Sequence, residues 1–235
     1  MIELIDLNIG YKTKGVNQVI LNNINAAFHS GELIGLAGNN GSGKSTLLKT
    51  LSGFLPALKG KIVINGTDIS QLSSHTLSQL LSVVLTDKLG GYNLTVYDVV
   101  ACGRIPYLNS IGNLSDEDAG IVNESLSTIG IAELKDKLFE ELSDGQKQKV
   151  LIAKSLAQQT PVILMDEPTA FLDYESRVNL FKLLRQLSQD KSKLIIISSH
   201  EIDILFRNAD KVFYTYPDGN YKYDFPTKIR EELML

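Results

Sequence analysis

Nine consecutive residues carry the first chemistry legible in this chain: Gly38-Asn39-Asn40-Gly41-Ser42-Gly43-Lys44-Ser45-Thr46. They fit G-x-x-x-x-G-K-[ST], a loop that wraps phosphates. Glycines let the backbone turn sharply and bring its amides close to an anion. The unpaired N–H groups and positive end of a following helix strengthen the same field. In such a loop Lys44 reaches the β- and γ-phosphates and the Ser45 hydroxyl binds Mg²⁺. A Gly-rich turn between strand and helix could meet part of the pattern, but here lysine and hydroxyl both follow the last glycine in the required context.

A second constellation is a pair of carboxylates, Asp166 and Glu167, at the end of the apolar run Val162-Ile163-Leu164-Met165. A buried strand would deliver Asp166 to the sheet edge, where it can hold Mg²⁺ and its waters. Glu167 points differently and can face an attacking water as general base. Pro168 keeps Glu167 out of the α region and ends the strand. By themselves two acids at a strand end are ordinary; downstream of a phosphate loop they read as metal ligand and base. A third is Leu142-Ser143-Asp144-Gly145-Gln146, where Ser143 and Gln146 form an S-x-x-Q capping box. It offers a second positive helix end and a hydroxyl.

The elements that must hold these groups follow from periodicity. Leu33 to Ala37 reads as a buried strand before the phosphate loop, and Thr46 to Leu51 as the helix after it. Ile2 to Ile9 alternates like a strand. Lys12 to Asn17 reads as a polar turn, Val19–Leu21 and Ile24–Phe28 as strand segments. Gly60 to Gly66 ends in an Asn-Gly hairpin signal. Ser73–Leu80 reads as a short helix and Ser82–Leu85 as a buried strand. From about Lys88 to Gln159 strand signals stop. Helices are expected from Leu94 (capped by Thr95), from Ser115 with acids in its first turn, and from Ser143 to Ala157. Continuous apolar runs then return at Val162–Met165 and Leu194–Ile197, as in a parallel sheet covered on both faces. Tyr174–Leu187 carries Leu180, Leu183, Leu184 and Leu187 on one core-facing stripe. Asp203–Arg207 reads as helix, Lys211–Tyr216 as the last strand, and Asp218–Tyr221 as a turn.

The 235 residues suit one large α/β domain with an insertion. A net charge of -4 argues against a general nucleic-acid binder. Cys102, the single cysteine, excludes an internal disulfide; with no signal-peptide pattern at Met1–Asp6, a reducing compartment is expected. No apolar run approaches the ~18 residues that cross a bilayer. Work at a membrane would therefore proceed from one side, through other chains.

Between a phosphate loop and an acid-ended strand, Leu142 to Gln146 resembles the signature of ABC-type ATPases, and the resemblance covers essentially the whole chain. Leu94 to Tyr107 and Leu142 to Val150 are similar to the ATPase subunits of importers for iron-siderophores, haem and vitamin B12. The resemblance implies an α/β fold: a RecA-like P-loop NTPase core with an N-terminal antiparallel β-subdomain and an inserted helical subdomain. Residues 1–87 and 160–235 would form the first two parts, and residues 88–159 the third. It implies ATP and Mg²⁺ as cofactors, with Ser45 and Asp166 on the metal and Glu167, His200 and Lys44 in catalysis. His200 resembles the switch histidine that bridges γ-phosphate and water, and Tyr11 the aromatic residue stacked on adenine. Ser143, Gly145 and Gln146 would face the γ-phosphate held by a second copy, sandwiching two ATPs in a homodimer. Asp173 resembles the aspartate that touches the opposite subunit, and a plain helix cap there is equally open. Asp144 stands where many members have glycine, so its side chain must point away from phosphate. Thr86 stands where glutamine usually senses the permease, followed by Asp87, so that coupling is a departure. The implied partners are integral membrane permease subunits, docked near Leu94–Tyr107, and indirectly a substrate-binding protein. The implied location is the cytoplasmic face of the membrane, peripherally bound. An exporter subunit, a soluble ABC ATPase outside transport, and a non-hydrolysing nucleotide-gated subunit stay open as alternatives.

Overall fold

The computed structural model describes residues 1–13, 16–85, 93–108, 112–190 and 192–233. Its first element is a long hairpin, β1 (Ile2–Thr13) with β2 (Val16–Phe28). The strands run further toward each other than the expected turn over Lys12–Asn17 allows, because Tyr11↔Gln18 and Lys12↔Asn17 remain paired. β2 is continuous, but bulges shift its register between Leu4 and Gly10 of its partner. β3 (Leu33–Gly38) leads to α1 (Lys44–Leu51), and β4 (Lys59–Ile64) turns through Asn65-Gly66 into the short β5 (Thr67–Asp68). Both turn residues have positive φ, as a two-residue hairpin requires. Next come α2 (Ser74–Leu80) and β6 (Leu81–Val84).

The expected helical block follows as α3 (Val96–Ala101), a 3₁₀ turn over Cys102–Tyr107, α4 (Asp116–Ile129) and α5 (Asp144–Ala157). Thr95, Ser115 and Ser143 cap the three helices, each in a full capping box. Caps of this kind are worth about 1 kcal/mol each. The chain continues as β7 (Val162–Met165), α6 (Tyr174–Asp190), β8 (Leu194–Ser198), α7 (Ile202–Asn208), β9 (Lys211–Thr215), β10 (Tyr221–Asp224) and α8 (Pro226–Leu233). β9 is therefore not the last element. The turn before Tyr221 folds the chain back, and the Tyr221 ring stacks on Phe213 with centroids 4.7 Å apart. That cross-strand aromatic packing specifies β10. α8 is anchored by Ile229, fully buried, with Leu233 packed against the same cluster, in a helix too short to show a clear period.

Two sheets result. One is antiparallel, ordered β2-β1-β4-β5; the other is ordered β10-β9-β3-β8-β7-β6, with β9, β3, β8, β7 and β6 parallel and β10 antiparallel at the edge. The antiparallel sheet and α1 cover one face of the parallel sheet, in a cluster that includes Ile9, Leu21, Leu36, Leu47 and Ile196. α6, α7 and α8 cover the other through Phe181, Leu184, Leu205 and Ile229. A third apolar cluster, with Val96, Val100, Val122, Leu126, Phe139 and Val150, lies wholly within residues 96–157. The carboxyl ends of the adjacent strands β3, β8 and β7 open into one crevice, the place where parallel α/β sheets bind ligands.

Candidate nucleotide-binding site

The phosphate loop leaves β3 at Gly38, whose φ of 135° is left-handed. A Cβ there would lie 2.3 Å from the carbonyl oxygen of Thr215, so only glycine fits. Thr215 ends β9 and braces the loop: its hydroxyl meets that of Ser42, which also donates to the Asn39 carbonyl at 2.7 Å. Sequence reasoning missed Thr215; a hydroxyl ending an apolar strand was its only signal. α1 begins at Lys44 with no side-chain cap, whereas Ser73, Thr95, Ser115 and Ser143 cap four other helices. The N-terminal amides of α1 are thus the available donors of the loop.

Asn40, Gly41, Gly43, Lys44, Ser45, Thr46, Glu167 and His200 line one cleft of about 360 Å³. The fold brings together loop, acid and histidine from β3, β7 and β8. Lys44 is nearly buried, and its Nζ donates to the carbonyls of Gly38 at 2.8 Å and Asn39 at 3.0 Å. Burial lowers its pKa, opposed by the charges of Glu167 and Asp166. Tyr11, on β1, stands beside the loop with its hydroxyl 3.2 Å from that of Thr46, and the residue is 41% exposed. An accessible aromatic face there is free to stack on a planar ligand.

Asp166 is nearly buried and doubly tethered: its N–H donates to the Val84 carbonyl at 2.8 Å, and its Oδ1 accepts from the Ser198 hydroxyl at 2.7 Å. Glu167 follows the end of β7, as Pro168 led one to expect. It does avoid the right-handed α region, but its φ is 48°, left-handed and not extended. A non-glycine residue held there costs on the order of 1–3 kcal/mol. The turn aims its carboxylate at His200, with Glu167 Oε1 2.6 Å from His200 Nε2.

Among the described residues no group of three or more His, Cys, Asp or Glu forms a metal cage. The hard oxygens of Ser45 and Asp166 fit Mg²⁺, which takes few protein ligands and completes its shell with phosphate and water.

Ser143, Gly145 and Gln146 are not among the residues lining the cleft. They open α5, where the Gln146 N–H meets Ser143 Oγ at 3.3 Å and the Ser143 N–H meets Gln146 Oε1 at 3.1 Å. Asp144 is exposed. Gly145 packs so tightly that a Cβ would come within 2.9 Å of the Phe171 carbonyl oxygen. Asp173 caps α6, accepting the Ser176 N–H at 2.8 Å, and these hydrogen bonds hold its carboxyl below the usual range. Arg177 donates to the Leu172 carbonyl at 2.7 Å and pairs with Glu201, next to His200. Thr86 and Asp87 lie outside the described residues.

Residues 21–170 match the family described as ABC transporter. Over 238 residues the chain is 37% identical to an uncharacterized ABC transporter ATP-binding protein of Methanocaldococcus jannaschii, covering 97% of this chain and 81% of that one. It is 34% identical to the iron(3+)-hydroxamate import ATP-binding protein FhuC of Bacillus subtilis, covering 84% of this chain and 72% of that protein. The solved dimeric structure of a bacterial ABC transporter cassette aligns with a TM-score of 0.82 at 25% identity, over 94% of this chain and 98% of that one.

Proposed function

This chain belongs to the ABC transporter family as an ATP-binding subunit with an ABC ATPase fold, and from that premise we propose how it acts. It binds ATP with Mg²⁺, hydrolyses it in a homodimer, and energises import of an iron complex (siderophore or haem) or cobalamin through a separate permease. The observation that carries the reading is the cleft itself: Lys44, Ser45 and the loop amides face Glu167 and His200 across one crevice.

Tyr11 stacks on the adenine, and Gly41, Gly43 and the first amides of α1 hold the phosphates. Asn39, Asn40, Ser42 and Thr46 shape the same loop. Lys44 leaves its two carbonyls for the β- and γ-phosphates, restoring a full charge partner to a buried ammonium. Ser45 and Asp166 hold Mg²⁺, which when bound neutralises phosphate charge. Glu167 accepts a proton from water as the water oxygen attacks the γ-phosphorus and the bond to the ADP oxygen breaks. His200 orients Glu167 and the γ-phosphoryl. Ser143, Gly145 and Gln146 complete the site of the opposite copy.

The third apolar cluster supports reading residues 88–159 as a helical subdomain set into residues 1–87 and 160–235. Membrane permease subunits dock on it near Leu94–Tyr107, and a substrate-binding protein delivers cargo to them. No helix among the described residues is long and apolar enough to cross a membrane. A peripheral position at the cytoplasmic face fits this reading. Import is favoured over export by the similarity to an iron(3+)-hydroxamate import protein over 84% of the chain.

Glu167→Gln tests the reading. Loss of a general base costs on the order of 10²–10⁴-fold in rate, so this variant should accumulate as an ATP-bound dimer on size exclusion. Rapid phosphate release by it would refute the assignment. Co-purification with a membrane permease, followed by cargo identification, tests the import class.

A further inference from the structure

We propose that Ser198 is a positioning residue of the hydrolytic site, aligning both carboxylates at the end of β7 through one hydroxyl. The inference rests on the roles given above to Asp166 and Glu167. Ser198 ends β8, immediately beside β7, and is fully buried. Its Oγ donates to Asp166 Oδ1 at 2.7 Å and accepts the Glu167 N–H at 2.9 Å. A serine hydroxyl has one proton to give, and here it is committed to Asp166, while a lone pair holds the next residue's amide. Both partners of this hydroxyl are the paired acids, although the strand that carries it arrives from elsewhere in the chain.

Two consequences follow. With Oδ1 engaged by Ser198 of β8 and the backbone amide engaged by Val84 of β6, Asp166 is held through its side chain on one side and through its main chain on the other. And the left-handed turn at Glu167 is held by its N–H on Ser198. That turn sets Glu167 Oε1 against His200 Nε2, two residues beyond Ser198 on the same segment. Without the hydroxyl, Glu167 loses an amide partner in a strained conformation and its backbone is free to relax. The base then moves off the line of attack, while the phosphate loop, built on β3 and α1, keeps its shape.

The test uses the full chain with Ser198→Ala, Ser198→Thr and Glu167→Gln in parallel. Phosphate release is measured against ATP concentration, and affinity is measured with a non-hydrolysable ATP analogue in the absence of Mg²⁺, so that it reads the phosphate loop and not the metal held by Asp166. A misplaced base costs on the order of 10–100-fold, so Ser198→Ala should lower kcat by that much. Its analogue affinity should stay within about two-fold of the parent, a split that loss of fold would not produce. Ser198→Thr, which keeps the hydroxyl, should recover most of kcat. The proposal is overturned if Ser198→Ala turns over at the parent rate, loses affinity in step with kcat, or is matched in slowness by Ser198→Thr. If Glu167→Gln is inactive while Ser198→Ala is normal, this inference alone falls. If Glu167→Gln hydrolyses rapidly, the reading beneath it falls as well.

Discussion

His200 Nε2 lies 2.6 Å from Glu167 Oε1, a contact that joins the end of β7 to the loop after β8. In the sequence Glu167 reads as a base facing water, and His200 resembles a residue that bridges γ-phosphate and water; the fold makes them partners before any substrate enters. In the proposed reaction the imidazole holds the base until water and γ-phosphoryl arrive. His200→Ala should therefore lower kcat by roughly 10²-fold. His200→Gln, which keeps a donor near Nε2, should recover part of the loss. Steady-state phosphate release for both variants checks this.

Lys44 carries a pH signature. Burial holds its ammonium below the usual 10.5, so the folded state gives up the proton before the unfolded chain does. Between the two values the unfolded chain binds more protons, and stability rises with pH. The buried charge costs most below the folded pKa, and the cost fades as pH climbs toward 10.5. Lys44→Met should flatten that alkaline rise in the nucleotide-free protein, measured as melting temperature against pH. The same variant should lose ATP binding.

Arg104 is clamped in the helical block: its Nε lies 2.8 Å from Asp118 Oδ1, and its guanidinium donates to the Ala157 carbonyl at 2.8 Å and stacks on Tyr107. Removing one partner of a buried ion pair costs about 3–5 kcal/mol. Arg104→Leu should lose stability on that order in urea titration. The Asp118 carboxyl is held below its usual value, first by Ser115 and then by Arg104. Its share of stability is present above pH 3.8 and is lost as pH falls through the folded pKa.

Gly145→Ala would push a methyl against the Phe171 carbonyl, a backbone atom with little room to yield. The strain falls on α5 and on the segment leading to Asp173, both assigned to the contact with the second copy. ATP-driven dimerisation of the Glu167→Gln protein, followed by size exclusion, should weaken by roughly ten-fold or more. Nucleotide binding to the single copy should be unchanged.

Much of the fold is written in local pattern. The continuous apolar runs became β3, β7 and β8, and serine or threonine ahead of an amphipathic stretch became the caps of α2 to α5. The misses are equally physical. β10 depends on Tyr221 stacking over Phe213, and α8 on the single buried residue Ile229, so neither carries a period that a short window can read.

At the site, the sequence by itself determined the chemical groups. A G-x-x-x-x-G-K-[ST] loop and an acid pair are contiguous, so their spacing along the chain encodes their geometry. Tertiary structure alone decided the relationships between distant segments: Thr215 bracing Ser42, Ser198 holding Asp166 and Glu167, His200 meeting Glu167, and Arg177 tying Leu172 to Glu201. The first three join neighbouring strands or the loops that leave them, and Arg177 reaches from α6 to the loops after β7 and β8. Strand order in this parallel sheet is set by what packs on its two faces, the antiparallel sheet with α1 on one and α6 to α8 on the other, and no spacing along the chain records which strands become neighbours.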